Sequence, residues 1–209
     1  MAQFRKGSAL AVAGRAGGSV ARLVFEAARR AEAMGLVESG AVTRPDADGA
    51  RHLAGRIRRA GIAASAADHL NNVSAPSPEE VSGVLEMIIA ALEASPAPKY
   101  EWAGVARVFP FDELGALLNV SASSLKRYQS GERETPDAVA ARLHWLALTA
   151  GDLAGSYNDI GIRRWFHRKR ERLDGRAPAA LLRGDWDPDD DGPARVRQLA
   201  RELVAMSTP

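Results

Sequence analysis

Apolar residues along this chain recur every three to four positions rather than every two, which predicts helices and no sheet. In the first half, Val20, Leu23, Val24, Ala27 and Ala31 mark one face of a helix over residues 19–38, which Gly35 and Gly40 weaken and then stop. A second helix is expected over residues 46–61. The third has the best local punctuation. Ser77 can cap, Pro78 suits the first helical position, and Glu80 completes a capping box ahead of Val84, Leu85, Ile88, Ile89 and Leu92, with an end near Ala94. The stretch SPAPKYEWAG, residues 95–104, holds two prolines and no apolar period, and reads as a linker. Beyond it the spacing predicts helices near 111–118, 121–129, 136–150, 159–173, 178–183 and 193–206. The expected fold is all-α, and no internal repeat is visible.

Two of these helices meet the demands of a tight crossing. In FDELGALLNVSASSLKRYQSG, residues 111–131, Leu114, Leu118, Val120, Leu125 and Tyr128 supply apolar contacts where the helices touch. Gly115 is the small residue that a close approach requires. Asn119 tolerates the left-handed turn, and the Ser121 hydroxyl can cap the second helix. The positions left over could face a DNA major groove: Ser121, Ala122, Ser123, Ser124, Lys126 and Arg127, then Ser130 past the end. They combine small hydrogen-bonding groups near the amino end with two cations further along, a mixture suited to base-edge reading and phosphate clamping. Arg133, in the following turn, is within reach of a phosphate. The pattern is that of a helix-turn-helix, expected over 109–150, although a plain αα-hairpin with a polar outer face meets the same packing demands. The expected organisation places an N-terminal helical domain at 1–95, a linker at 96–108 and a C-terminal helical domain at 151–209.

Charge matters here through its distribution. The 28 Lys and Arg against 26 Asp and Glu leave a net charge of only +2, too little to argue for nucleic acid alone. Residues 1–95 are nearly balanced, with eleven basic and ten acidic side chains. Between Arg163 and Arg176, by contrast, seven basic residues face only Glu171 and Asp174, and the segment from Asp185 to Gly192 holds five aspartates and no base. Ile162, Trp165, Phe166 and Leu173 can form a core-facing stripe within the basic segment, so its cations are either a solvated face or a binding surface. Arg164, Arg168, Lys169, Arg170, Arg172 and Arg176 are the candidates for a second contact, to DNA or to a protein.

The run ELGALLNVSASSLKRYQSGER resembles an Xre-type reading unit. In IRRWFHRKRERLDGRAPAALL, Trp165, Leu173, Gly175, Pro178, Leu181 and Leu182 stand where the Xre/MbcA/ParS family of type II antitoxins has a tryptophan-bearing helix, a Leu-x-Gly turn, a proline-led helix and a double leucine. VRQLARELV, residues 196–204, resembles that family's closing helix. The resemblance implies an autoregulatory antitoxin that binds its operator on double-stranded DNA and obstructs a RES-domain toxin, an NAD-consuming enzyme.

Other chemistry finds little support in the sequence. With no cysteine, disulfides, thiolate metal sites and cysteine nucleophiles are excluded. Asp187, Asp189 and Asp191 with Gly192 imitate the start of a calcium loop, but Gln198 stands where the bidentate glutamate belongs and Pro188 interrupts the loop. The four histidines, at 52, 69, 144 and 167, lack a metal-ligand spacing, and His144 reads as a packed histidine. No cofactor and no metal are expected, nor an enzyme. With no signal-peptide core or long uncharged apolar run, a cytoplasmic protein without membrane contact is expected. Three readings stay open: an antitoxin-repressor, a free-standing phage-like repressor whose basic C-terminal helix makes a second DNA contact, and a helical interaction module that does not bind DNA. A homodimer on paired half-sites suits either repressor.

Overall fold

The structure, a computed structural model, describes the backbone of residues 4–206 and the side chains of residues 18–203. Among the described residues there are eleven α-helices, one 3-10 turn and no strand. The all-α expectation therefore holds. The helices are α1 (Phe4–Ala33), α2 (Ala47–Arg59), α3 (Ala64–Asn72), α4 (Pro78–Ala94), α5 (Pro98–Val108), α6 (Phe111–Leu118), α7 (Ala122–Gln129), α8 (Asp137–Ala154), α9 (Asp159–His167), α10 (Pro178–Leu181) and α11 (Asp191–Met206). The 3-10 turn, Glu171–Leu173, lies between α9 and α10. No single helix among the described residues is long and apolar enough to cross a membrane.

The chain divides into two compact units, one of residues 1–31 and 36–95, the other of residues 32–35 and 96–209. In the first, the stripe of Val20, Leu23, Val24, Ala27 and Ala31 is buried, as are Leu53 and Ile57 of α2, Leu70 of α3, and Val84, Leu85, Ile88 and Leu92 of α4. Ser77 accepts from the Glu80 amide while Glu80 accepts from the Ser77 amide, so two amides that would otherwise lack a partner are satisfied at the start of α4. Arg30 joins α1 to α4 through Glu93 at 2.8 Å. Helix α3 was not foreseen, because ASAADHLNN offers only Ala67 and Leu70 to the core.

The second unit corrects three expectations. The linker over 96–108 is helix α5: Pro98 takes the first turn, and Trp102, Val105 and Val108 recur on a buried face. Gly104, on the same helix, gives that face room, since a Cβ there would lie 2.2 Å from the Ala33 carbonyl oxygen. The helix expected over 159–173 stops at His167, where the chain becomes extended before the 3-10 turn. Residues 109–150 and 151–209 are not separate domains but one unit, in which α8 packs against α5 and α11, and α9 against α5 and α10.

Candidate nucleic-acid interface

The sequence from Phe111 to Gln129 folds as two eight-residue helices around a one-residue left-handed turn. Asn119 has φ 55° and ψ 47°, a conformation that asparagine accepts more readily than most residues. Gly115 faces the turn: a Cβ there would stand 3.3 Å from the Val120 carbonyl oxygen and 3.7 Å from Leu125 Cδ2. A small side chain is the limit. Leu114, Leu118, Leu125 and Tyr128 are buried as the pattern required, while Val120 is half-buried.

The last four carbonyls of a helix have no partner within it, yet all four of α6 are satisfied. Val120 and Asn119 amides donate to Gly115 and Ala116 at 3.0 and 3.4 Å. Trp186 Nε1 donates to Leu117 at 2.8 Å, and Arg142 Nη1 to Leu118 at 3.3 Å. Arg142 is buried, donates through Nε to the Trp186 carbonyl at 2.6 Å, and pairs with Asp185. Trp186 in turn packs edge-on to Trp145, with ring centroids 5.2 Å apart. The start of the acidic segment is thus a clasp that fixes the carboxyl end of α6 to α8. Sequence reasoning missed this role, for which the lone tryptophan among aspartates was the available signal.

Helix α7 begins at Ser121, whose Oγ accepts from the Ser124 amide at 3.2 Å and lies 3.1 Å from the hydroxyls of Ser123 and Ser124. Ser121 is therefore committed to capping. Ser121, Ala122, Ser123, Lys126, Arg127, Ser130 and Arg133 are exposed, and Ser124 is half-buried. Lys126 has no ion-pair partner among the described residues. Arg127 lies 3.3 Å from Glu132, both side chains exposed, so solvent screens that pair and a phosphate can compete for the cation. Arg133 rests over the Tyr128 ring at 5.6 Å. It borders a groove of about 830 Å³ whose floor includes Trp102 and Tyr128. The Trp102 indole is held by Thr135 Oγ1 at 3.0 Å.

The six cations proposed for a second contact separate into two classes. Arg170 packs over the Trp165 ring at 5.1 Å, and burial there lowers its pKa. Arg172 pairs with Glu202, which raises its pKa. These two have partners within the fold, Arg172 in an exposed pair that solvent screens. Arg164, Arg168, Lys169 and Arg176 are exposed, and none has an ion-pair partner within 4 Å among the described residues. Trp165, Leu173, Pro178 and Leu182 are buried and Leu181 is half-buried, while Asp174 and Gly175 form a left-handed turn held by Arg195.

Two histidines have partners that the sequence did not reveal. His144 Nδ1 lies 2.5 Å from Glu101 Oε1 inside the α5–α8 contact, where burial pushes the Glu101 carboxyl pKa up. His167 Nε2 lies 2.7 Å from Glu113 Oε1, joining the end of α9 to the first turn of α6. No group of three or more acidic or histidine side chains suited to a metal ion occurs among the described residues. No family model, no curated protein and no solved structure matches the chain.

Proposed function

We propose that this chain is a sequence-specific double-stranded DNA-binding repressor, a binding protein rather than an enzyme, that reads base edges with the outward face of α7. The observation that carries the reading is the combination of a fixed turn with an unobstructed face. The Asn119 turn and the Ser121 cap set the pose of α7, and Ser123, Lys126 and Arg127 remain exposed along it. A helix presented in this way fits the major groove, with its amino end towards the bases and the cations available to phosphates or to guanine.

The test is selection of duplexes with a randomised core by the purified full chain, followed by affinity measurement on the enriched duplex and on a scrambled one. The wild-type chain should enrich one core. Ser123→Ala, Lys126→Ala and Arg127→Ala together should remove most of its preference over the scrambled duplex without lowering thermal stability. An unaltered preference in this variant would favour the plain αα-hairpin. A homodimer would appear as an inverted repeat in the enriched core.

The resemblance to Xre/MbcA/ParS antitoxins adds a second partner to this reading, a RES-domain toxin obstructed by the C-terminal helices. Its test is to look for a RES-domain enzyme encoded beside this chain, whose absence would favour the free-standing repressor, and to co-express the two where one is found. An antitoxin should suppress that enzyme's NAD consumption, whereas a free-standing repressor should leave it unchanged.

A further inference from the structure

We infer that Arg164 near the end of α9, with Arg168 and Lys169 in the turn after it, forms a second phosphate-binding surface, occupied by the DNA backbone beside the bases that α7 reads. This rests on the DNA-binding reading proposed above. Three observations support it. First, the three side chains are exposed and lack an ion-pair partner among the described residues, while acids around them are engaged elsewhere: Glu113 with His167, Asp174 with Arg195, and Glu202 with Arg172. Asp159 and Glu171 remain exposed nearby in sequence and Asp112 stands next to Glu113, and against these three acids Arg164, Arg168, Lys169 and Arg176 are all exposed.

Second, the turn is built to hold its shape. Arg168 N–H closes α9 on the Arg164 carbonyl at 3.1 Å, Arg170 N–H bonds the Arg176 carbonyl at 3.0 Å, and the Arg170 guanidinium lies on Trp165. Less ordering entropy is then lost on binding than for cations on a free tail.

Third, the turn is pinned to the end of α6 where a phosphate would be met. His167 holds Glu113 at 2.7 Å, and Phe166 meets Phe109 edge-on at 5.0 Å, on either side of the α6 start. In helix-turn-helix proteins the first helix crosses the DNA backbone while the second enters the groove. Asp112 and Glu113 in the first turn of α6 already answer its positive dipole end, so the phosphate contact falls to the cations. An acidic protein segment would suit the cations alone, but the position beside α6 favours DNA.

The test uses the full chain and the duplex enriched from the randomised pool, made with long flanks and with flanks trimmed to the core. Arg164→Ala, Arg168→Ala and Lys169→Ala together should weaken binding to the long duplex about tenfold or more and flatten its salt dependence by about two to three units, at about 0.9 per phosphate contact. The preference for the enriched over the scrambled core should persist. Trimming the flanks should weaken the wild-type chain and leave the triple variant nearly unchanged, and Asp112→Asn should tighten binding to the long duplex. A variant that keeps the wild-type salt slope while still selecting the core overturns the second contact and leaves the role of α7 standing; it would point to an acidic protein instead. A chain that enriches no duplex overturns the DNA-binding reading and this inference with it.

Discussion

Glu101 has no exposed surface, and His144 holds only one of its oxygens, Oε1, while Oε2 has no hydrogen-bond partner. Burial raises its carboxyl pKa and outweighs the histidine's opposing pull. A raised carboxyl pKa means that the folded chain holds this proton where the unfolded chain has released it. Its contribution is therefore most favourable at low pH and declines as pH rises from the ordinary glutamate range through the raised value. Glu101→Gln keeps the shape and a hydrogen-bonding oxygen but carries no charge. Thermal melts across that window should show the decline in the wild-type chain and a flatter profile in the variant; parallel profiles would contradict the assignment. His144 was legible as a packed histidine from its apolar helix, but its partner was not. Glu101 lies in a stretch whose prolines suggested a linker, although Pro98 in fact stands in the first turn of α5.

The pair α6 and α7 was legible because its determinants are local. The apolar positions, the small Gly115, the turn at Asn119 and the cap at Ser121 all lie within one short run of sequence, and each imposes a backbone requirement that a residue type reveals. The clasp on α6 was not legible. Trp186 reaches a carbonyl 69 residues away and Arg142 one that is 44 residues away, and no local pattern specifies such a pairing. Trp186→Phe preserves most of the ring contact with Trp145 but leaves the buried Leu117 carbonyl without its donor. Equilibrium urea unfolding should show a loss of about 1–3 kcal/mol, and a variant as stable as wild type would mean that the clasp is only a packing contact. The basic segment was misread at the same level. A helical period continues through residues 159–173, but the chain leaves the helix at Arg168, so only Arg163 and Arg164 lie on the helix and the later cations belong to the turn after it.

Across the whole chain, helical content followed from periodicity, whereas the grouping of helices did not. The C-terminal helices looked separable because Pro, Gly and charge interrupt them, yet α8 is buried along most of its length by α5, α9 and α11. Long-range contacts made this one unit. The first unit, nearly balanced in charge, leaves the segregated charges and the α6–α7 pair to the second. The test of function therefore belongs on α7, and the measurement is the base preference at each position of the enriched core, determined for the wild-type chain and for Ser123→Ala, Lys126→Ala and Arg127→Ala singly. A side chain that reads a base should, when removed, relax the preference at its own base pair by about 1–3 kcal/mol and leave the others intact, whereas one that meets only phosphate weakens all sequences alike. We expect at least one of the three to relax a single position. If all three variants keep the wild-type preference at every base pair, α7 is not the reading helix.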